Sequence, residues 1–257
     1  MDALLRGLVA LPFGLVVGSF MTVAVYRLPR GESVVRPRSR CPSCGAEIGA
    51  RDNVPVLSWL LLRGRCRRCG QAISVEYPLL ELATAGLVVL AAIRHPNLWR
   101  AVLVAGLLAL MPGIALIDLR HRIIPNRLTY PALLLFPTII LAAWAVDDAV
   151  EPLKGLLGAL LYGGVLFVVA VISRGMGMGD VKLAAVIGLV LGSIGLRYVG
   201  VAAGSAIVLG GIGGLVALAM GRGRKSAIPF GPYLAAGAVV AGLWGQPIAS
   251  WYIGRFL

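Results

Sequence analysis

Apolar runs long enough to cross a bilayer dominate this chain and leave few folds open to it. A span needs about 20 predominantly apolar residues. By that criterion the sequence predicts about eight spans, at residues 4–26, 78–94, 98–117, 128–146, 153–173, 181–193, 197–220 and 228–246. Only 14% of the 257 residues are charged, against 59% hydrophobic, and the mean hydropathy is +0.89. A soluble domain of this size would carry more charge on its surface. The expected fold is an all-α polytopic membrane protein with one small polar insertion. Residues 1–26 form the first transmembrane helix, 27–77 a cytoplasmic four-cysteine loop, and 78–257 the rest of the bundle. The run from Leu8 to Val25 follows a single basic residue, Arg6, and lacks a small-residue cleavage site. It reads as a retained span, not a removed signal. The sixth run, at about 13 residues, crosses only if it is tilted, extended or shielded by protein. Gly192 and Gly195 leave its end open.

The formal net charge of +13 would suggest nucleic acid on a soluble protein. On a membrane protein the distribution of basic residues reports sidedness. With eight spans and the N-terminus outside, 18 of the 24 Lys and Arg residues lie inside, ten of them in residues 27–77. Arg174, Lys182, Arg222, Arg224 and Lys225 belong to that inner set. Arg6, Arg94, Arg100, Lys154, Arg197 and Arg255 lie outside. The topology accounts for the arginines, so no nucleic-acid partner is assigned. Membrane lipid is the expected surrounding.

Cys41, Cys44, Cys66 and Cys69 form two C-x2-C pairs, each followed by glycine. A two-residue gap lets both thiolates face one ion, and the glycine permits the turn that follows. Four sulfurs suit tetrahedral zinc, and a closed set of four leaves no position for a reacting water. Two disulfides or four free thiols are the alternatives, and a reducing cytosol disfavours the disulfides. The segment is too small to build a large core, so metal would supply much of its stability. Val54, Val56, Leu57, Trp59, Leu60, Leu61 and Leu62 are its apolar filling or a surface resting on the membrane.

Two aspartates interrupt apolar sequence at membrane margins, where ionisable residues are costly. Asp118 closes the third span and Asp180 opens the sixth, which puts both at the cytoplasmic face. Gly175, Gly177 and Gly179 alternate before Asp180, and such glycines allow close approach of a bound backbone. A lone Asp here would merely mark the water boundary. Two facing carboxylates cannot easily both ionise, so they share a proton. The charged one can activate water while the protonated one polarises a scissile carbonyl and assists the leaving amine. Which Asp is the base stays open. There is no G-x-S-x-G, H-E-x-x-H or Walker A pattern. Lys182 either anchors its helix or shapes the field of the pair. His95 reads as a solvent-exposed turn residue, and His121, between Arg120 and Arg122, as a surface residue. Glu81 is either a further polar site residue or an interface residue. A transporter would place ionisable groups at mid-membrane, and here they gather at one face. A non-catalytic secretion scaffold is the remaining alternative.

These residues resemble the bacterial type IV prepilin leader peptidases, membrane aspartic peptidases of the G-x-G-D group. The similarity runs through Gly18-Ser19-Phe20, Val25-Tyr26-Arg27-Leu28-Pro29, the cysteine loop with Asp52-Asn53-Val54-Pro55 and Ser58-Trp59-Leu60, and Ile117-Asp118 with Pro125-Asn126. It continues in Gly177-Met178-Gly179-Asp180-Val181-Lys182 and Pro229-Phe230-Gly231-Pro232-Tyr233. The resemblance implies cleavage of the short basic leader of prepilins or pseudopilins on the cytoplasmic side. It also implies methylation of the new N-terminus from S-adenosylmethionine. Thr22 and Glu76 depart from the family pattern, in the parts linked to methylation. No glycine-rich Rossmann fingerprint marks a methyl-donor site. The oligomeric state is not legible.

Overall fold

The computed structural model describes residues 2–173, 176–221 and 229–256. Arg174, Gly175, Arg222, Arg224 and Lys225, used in the readings above, lie outside the described residues. The described chain is helical. Helix α1 spans Ala3–Arg27, α2 Leu57–Leu61, α3 Glu76–Arg94 and α4 Leu98–His121. Then come α5 Asn126–Asp147, α6 Pro152–Ser173, α7 Met178–Ile194, α8 Leu196–Ala219 and α9 Gly231–Phe256. Six of these, α1, α3, α4, α5, α6 and α8, are long and apolar enough to cross a membrane, by length and composition. The expected eight spans coincide with eight long helices, but α7 and α9 are not among the six, so the crossing count is approximate.

Helix α7 is short for a physical reason. Its 17 residues rise about 25 Å, less than the hydrocarbon thickness. It is screened from lipid instead, with nearly every side chain from Val181 to Ser193 buried. The screen on one side is α6. A Cβ on Gly158 would overlap the Gly188 carbonyl, and a Cβ on Gly188 would overlap the Gly158 carbonyl. Small residues at such a seam let two backbones approach closely in the absence of a hydrophobic driving force between helices. Gly192 belongs to this seam, against Gly155 and Gly158, and the helix runs past it to end at Gly195.

The bundle core gathers around α4, whose Leu103, Leu107, Leu108, Met111, Ile114 and Ile117 are almost fully buried. His95 departs from its expected exposure. It is half-buried, and its Nε2 lies 2.8 Å from the Gly242 carbonyl of α9. The 3–4 junction therefore packs on the last helix instead of projecting into water.

The cysteine loop is built from two copies of one small knuckle. In the first, the Gly45 N–H donates to the Cys41 carbonyl at 2.9 Å, and Arg40 bridges Glu47. In the second, the Gly70 N–H donates to the Cys66 carbonyl at 2.9 Å, and Arg65 bridges Ala72. Gly45 and Gly70 both sit at φ near +68°, the left-handed turn that a Cβ disfavours. Arg67 ties the second copy to the segment between the two through hydrogen bonds of 2.8–3.0 Å to the Asp52 carboxylate. The expected apolar filling is mostly absent from the interior. Leu57, Leu60 and Leu61 are exposed on α2, while Trp59 packs over Gly64 and donates its indole N–H to the Ile73 carbonyl at 3.1 Å.

Candidate active site and metal centre

Asp118 sits in the last turn of α4, which Arg122 closes in a left-handed C-cap before Pro125 starts α5. It is buried, at 5% exposure. Its Oδ2 accepts a hydrogen bond of 2.9 Å from the Gly231 N–H, at the first residue of α9. A Cβ on Gly231 would stand 2.6 Å from Oδ2, so the residue must be glycine for the backbone to come this near. Nothing local in the sequence marks Gly231 as part of the site, since it lies 113 positions from Asp118. Its place in the Pro229–Tyr233 signature was the one available signal.

Asp180 is the third residue of α7, whose N-cap is Gly177. The Asp180 N–H donates to the Gly177 carbonyl at 3.1 Å. An acidic residue in the first turn lies beside the orphan N–H donors of the helix start. The start of α7 packs on the connection that follows Asp118, where a Cβ on Gly179 would meet Ile124, which brings the two aspartates to one end of the bundle.

Gly179 and Gly177 serve differently. A Cβ on Gly179 would meet the Ile124 side chain at 2.9 Å, so this glycine seats the 4–5 connection against α7. Gly177 has only ordinary contacts and is exposed. Lys182 points to α5, where Nζ donates to Asn126 Oδ1 at 2.8 Å and to the Tyr130 hydroxyl at 3.0 Å. That is an anchoring role, joining α7 to α5 beside the site. His121 is exposed at the end of α4.

Glu81 reaches the cysteine loop. It is buried in α3, at 7% exposure, and its Oε2 accepts the Val56 N–H at 2.7 Å. A Cβ on Gly18 of α1 would meet the Glu81 backbone at 2.8 Å, so α1 packs closely on this residue. Val56 has φ +61° and ψ −52°, and the Leu57 N–H reaches back to the Pro55 carbonyl at 2.6 Å. This is a γ-turn of the strained, positive-φ kind, unfavourable for a β-branched residue. Glu81 therefore fastens a strained turn of the cysteine loop to α1 and α3.

The four cysteine sulfurs lie within 4.8 Å of one another, and Cys41 Sγ to Cys69 Sγ is 3.8 Å. A zinc–sulfur distance of about 2.3 Å in a tetrahedron demands a sulfur–sulfur edge of about 3.8 Å. The donor set therefore fits a closed four-thiolate metal site. Backbone N–H groups of Cys44 and then Ser43 lower the Cys41 thiol to about 6, while Cys69, despite the Gln71 backbone, is raised to about 11 by burial and the neighbouring thiols.

Residues 12–95 match the bacterial peptidase A24 N-terminal domain, and residues 101–221 match the type IV leader peptidase family. A prepilin leader peptidase/N-methyltransferase of Bacillus subtilis (strain 168) is 37% identical over 94% of this chain and 95% of its own. One from Aeromonas hydrophila is 35% identical over 95% and 93%. A type 4 prepilin-like proteins leader peptide-processing enzyme of Escherichia coli O78:H11 is 35% identical over 88% and 89%. No solved structure matches.

Proposed function

The chain belongs to the type IV leader peptidase family, and from that premise we propose that Asp118 and Asp180 are the acid–base pair that cuts the leader from type IV prepilins. The protein is a multi-pass membrane enzyme, a prepilin leader peptidase that also N-methylates the N-terminus it exposes. What supports the catalytic assignment is that two carboxylates from helices distant in sequence, one buried and one half-buried, sit where the start of α7 packs on the 4–5 connection that follows Asp118.

In this reading the pair shares one proton, because two adjacent carboxylates in a desolvated site cannot both ionise. The charged carboxylate takes a proton from water as the water attacks the scissile carbonyl. The protonated partner hydrogen-bonds the carbonyl oxygen and later gives its proton to the leaving amine. The Gly231 N–H holds the Asp118 carboxylate in place. Gly177 keeps a side chain away from the approach to Asp180, Gly179 seats α7 against Ile124, and Lys182 fixes α7 against α5. The excess of basic residues in residues 27–77 supports an orientation with the loop and both aspartates in the cytoplasm and the N-terminus outside. The spacing of the sulfurs supports zinc in the loop, where Cys41, Cys44, Cys66 and Cys69 would hold it as a folding element.

Incubation of the purified protein in detergent with a prepilin tests the assignment. Asp118→Asn and Asp180→Asn each abolish the shortened product while leaving expression and unfolding temperature unchanged. Normal cleavage by either variant removes that residue from the mechanism.

A further inference from the structure

Basic residues are scarce at the outer end of the bundle in the orientation proposed above, and three of the six assigned there converge on one cavity. Arg94 ends α3, Arg100 lies in the first turn of α4, and Arg197 in the first turn of α8. All three line a cavity of about 550 Å³, which Gly242, Leu243 and Gly245 of α9 also line. Asn97 caps α4 at this cavity, 21 residues before Asp118 and about 30 Å along the helix, so the cavity is remote from the aspartates. Its walls are fixed by packing. His95 Nε2 lies 2.8 Å from the Gly242 carbonyl, and the Tyr198 ring packs on Gly245.

The lining holds no Asp or Glu, and among the described residues no carboxylate pairs with any of the three guanidiniums. The acidic groups of this end are engaged elsewhere. Asp147 accepts from the Asn97 amide, Glu151 pairs with Lys154, and Asp148 is the C-cap of α5. Arg94 stands over the Trp244 ring at 5.4 Å, and Arg100 donates its Nε–H to the Ala149 carbonyl at 2.7 Å. These partners are neutral, so the charge of the cavity stays uncompensated. A guanidinium does not deprotonate, and three gathered in one cavity ask for an anion. Helix α8 adds to that demand. It starts here without a side-chain cap, which leaves first-turn N–H groups for a ligand.

The surroundings say which anion. Trp144 at the end of α5, and Trp244, Trp251 and Tyr252 in the second half of α9, are all exposed at this end of the bundle. Exposed Trp and Tyr collect at the level of lipid headgroups, so the contact of Arg94 with Trp244 sets the cavity in that layer. The fork of a guanidinium matches the oxygens of a phosphate diester. We propose that this cavity holds the phosphate of an anionic phospholipid headgroup, with Arg94, Arg100 and Arg197 as its ligands. The lipid then staples the 3–4 junction to α8 and α9 at the end of the bundle away from the aspartates. A zwitterionic lipid is disfavoured, because its own cation would enter a cluster of like charge. The leaflet follows from the proposed orientation; the binding itself does not depend on it.

Native mass spectrometry of the full purified chain tests the site, after delipidation in detergent and titration with defined phospholipids. The parent retains phosphatidylglycerol saturably, and phosphatidylcholine with the same acyl chains binds about tenfold more weakly or worse. The side chains of Arg94 and Arg197 rest on aromatic rings, so their removal disturbs little else. Arg94→Gln and Arg197→Gln each weaken retention by about tenfold, as expected for losing one charge-assisted contact. Arg197→Lys keeps the charge and recovers most of the loss. Arg255→Gln, a basic residue of the same end that does not line the cavity, retains the lipid as the parent does. Thermal unfolding gives an independent reading. Phosphatidylglycerol raises the unfolding temperature of the parent more than that of Arg197→Gln, and equal temperatures without lipid show that the variant folds. Inorganic phosphate in excess leaves the lipid bound. Equal retention by the parent and both glutamine variants, equal retention of the two lipids, or displacement of the lipid by inorganic phosphate would overturn the proposal.

Discussion

Replacing Gly231 by alanine should disable the site without unfolding the protein. The added Cβ would stand 2.6 Å from Oδ2, 3.0 Å from Cγ and 3.1 Å from Cβ of Asp118. Moving Oδ2 from 2.6 Å to an ordinary contact of about 3.4 Å requires a retreat of about 0.8 Å. The closest atom met, Oδ2, is the far end of a side chain that can rotate, and Cβ needs to yield only a few tenths of an ångström, so the fold loses little. The carboxylate, however, leaves the place where its 2.9 Å hydrogen bond to the Gly231 N–H held it. A misplacement of about 1 Å at a reacting group costs on the order of 10²-fold, or about 2.7 kcal/mol of transition-state stabilisation. The assay is single-turnover cleavage of a prepilin in detergent, with the unfolding temperature measured beside it. Gly254→Ala is the control, because it lies on the same helix and its Cβ meets nothing within 4 Å. Expected are a roughly hundredfold slower cut for Gly231→Ala, no change for Gly254→Ala, and similar stability for both. A Gly231→Ala enzyme cutting within about twofold of the parent would show that Asp118 does not need this position, and would count against its catalytic role.

Glu81→Ala leaves the Val56 N–H without its acceptor and should loosen the cysteine loop, at about 1–3 kcal/mol by thermal unfolding; Glu81→Gln keeps an acceptor oxygen and should lose less. Gly188→Ala should cost about 1–3 kcal/mol in unfolding, because the obstructing atom is the Gly158 carbonyl and cannot rotate away, whereas Gly164→Ala on α6 meets open space and should be silent. Elemental analysis should find about one zinc per chain, lost in Cys66→Ser together with resistance of residues 27–77 to protease; full metal with three cysteines would refute the closed site. The Arg67 hydrogen bonds, reinforced by the Arg67 and Arg51 charges, hold the Asp52 carboxyl below the usual carboxylate range. A depressed folded value means the stabilisation is present above about pH 4 and is lost as pH falls through the folded value, and Asp52→Asn should flatten that dependence in acid unfolding curves of the loop.

The parts of this molecule that could be read from its sequence are those governed by a local rule. The bilayer dictates length and apolarity, so the long helices appear as runs; α4 merely continues a turn beyond residue 117 and thereby takes Asp118 inside its last turn. Cysteine spacing is local chemistry, and so is the start of α7, where the Asp180 N–H reaches back three residues to the Gly177 carbonyl. What stayed hidden depends on which helices meet. His95 finds Gly242 across 147 positions, and Glu81 finds Val56 across 25, through a backbone conformation no propensity would favour at valine. The two aspartates show why this division falls across the candidate site itself. Asp180 stands at the start of its own helix, where orphan N–H groups and the helix dipole favour a carboxylate. Asp118 stands at the end of its helix, where the same dipole opposes negative charge and the local backbone offers carbonyls. Its own helix cannot hold that carboxylate, so the donor must come from elsewhere, and the start of α9 supplies it through Gly231. A sequence reader can see that Asp118 needs such a partner; only the packing of α9 on α4 says which residue it is.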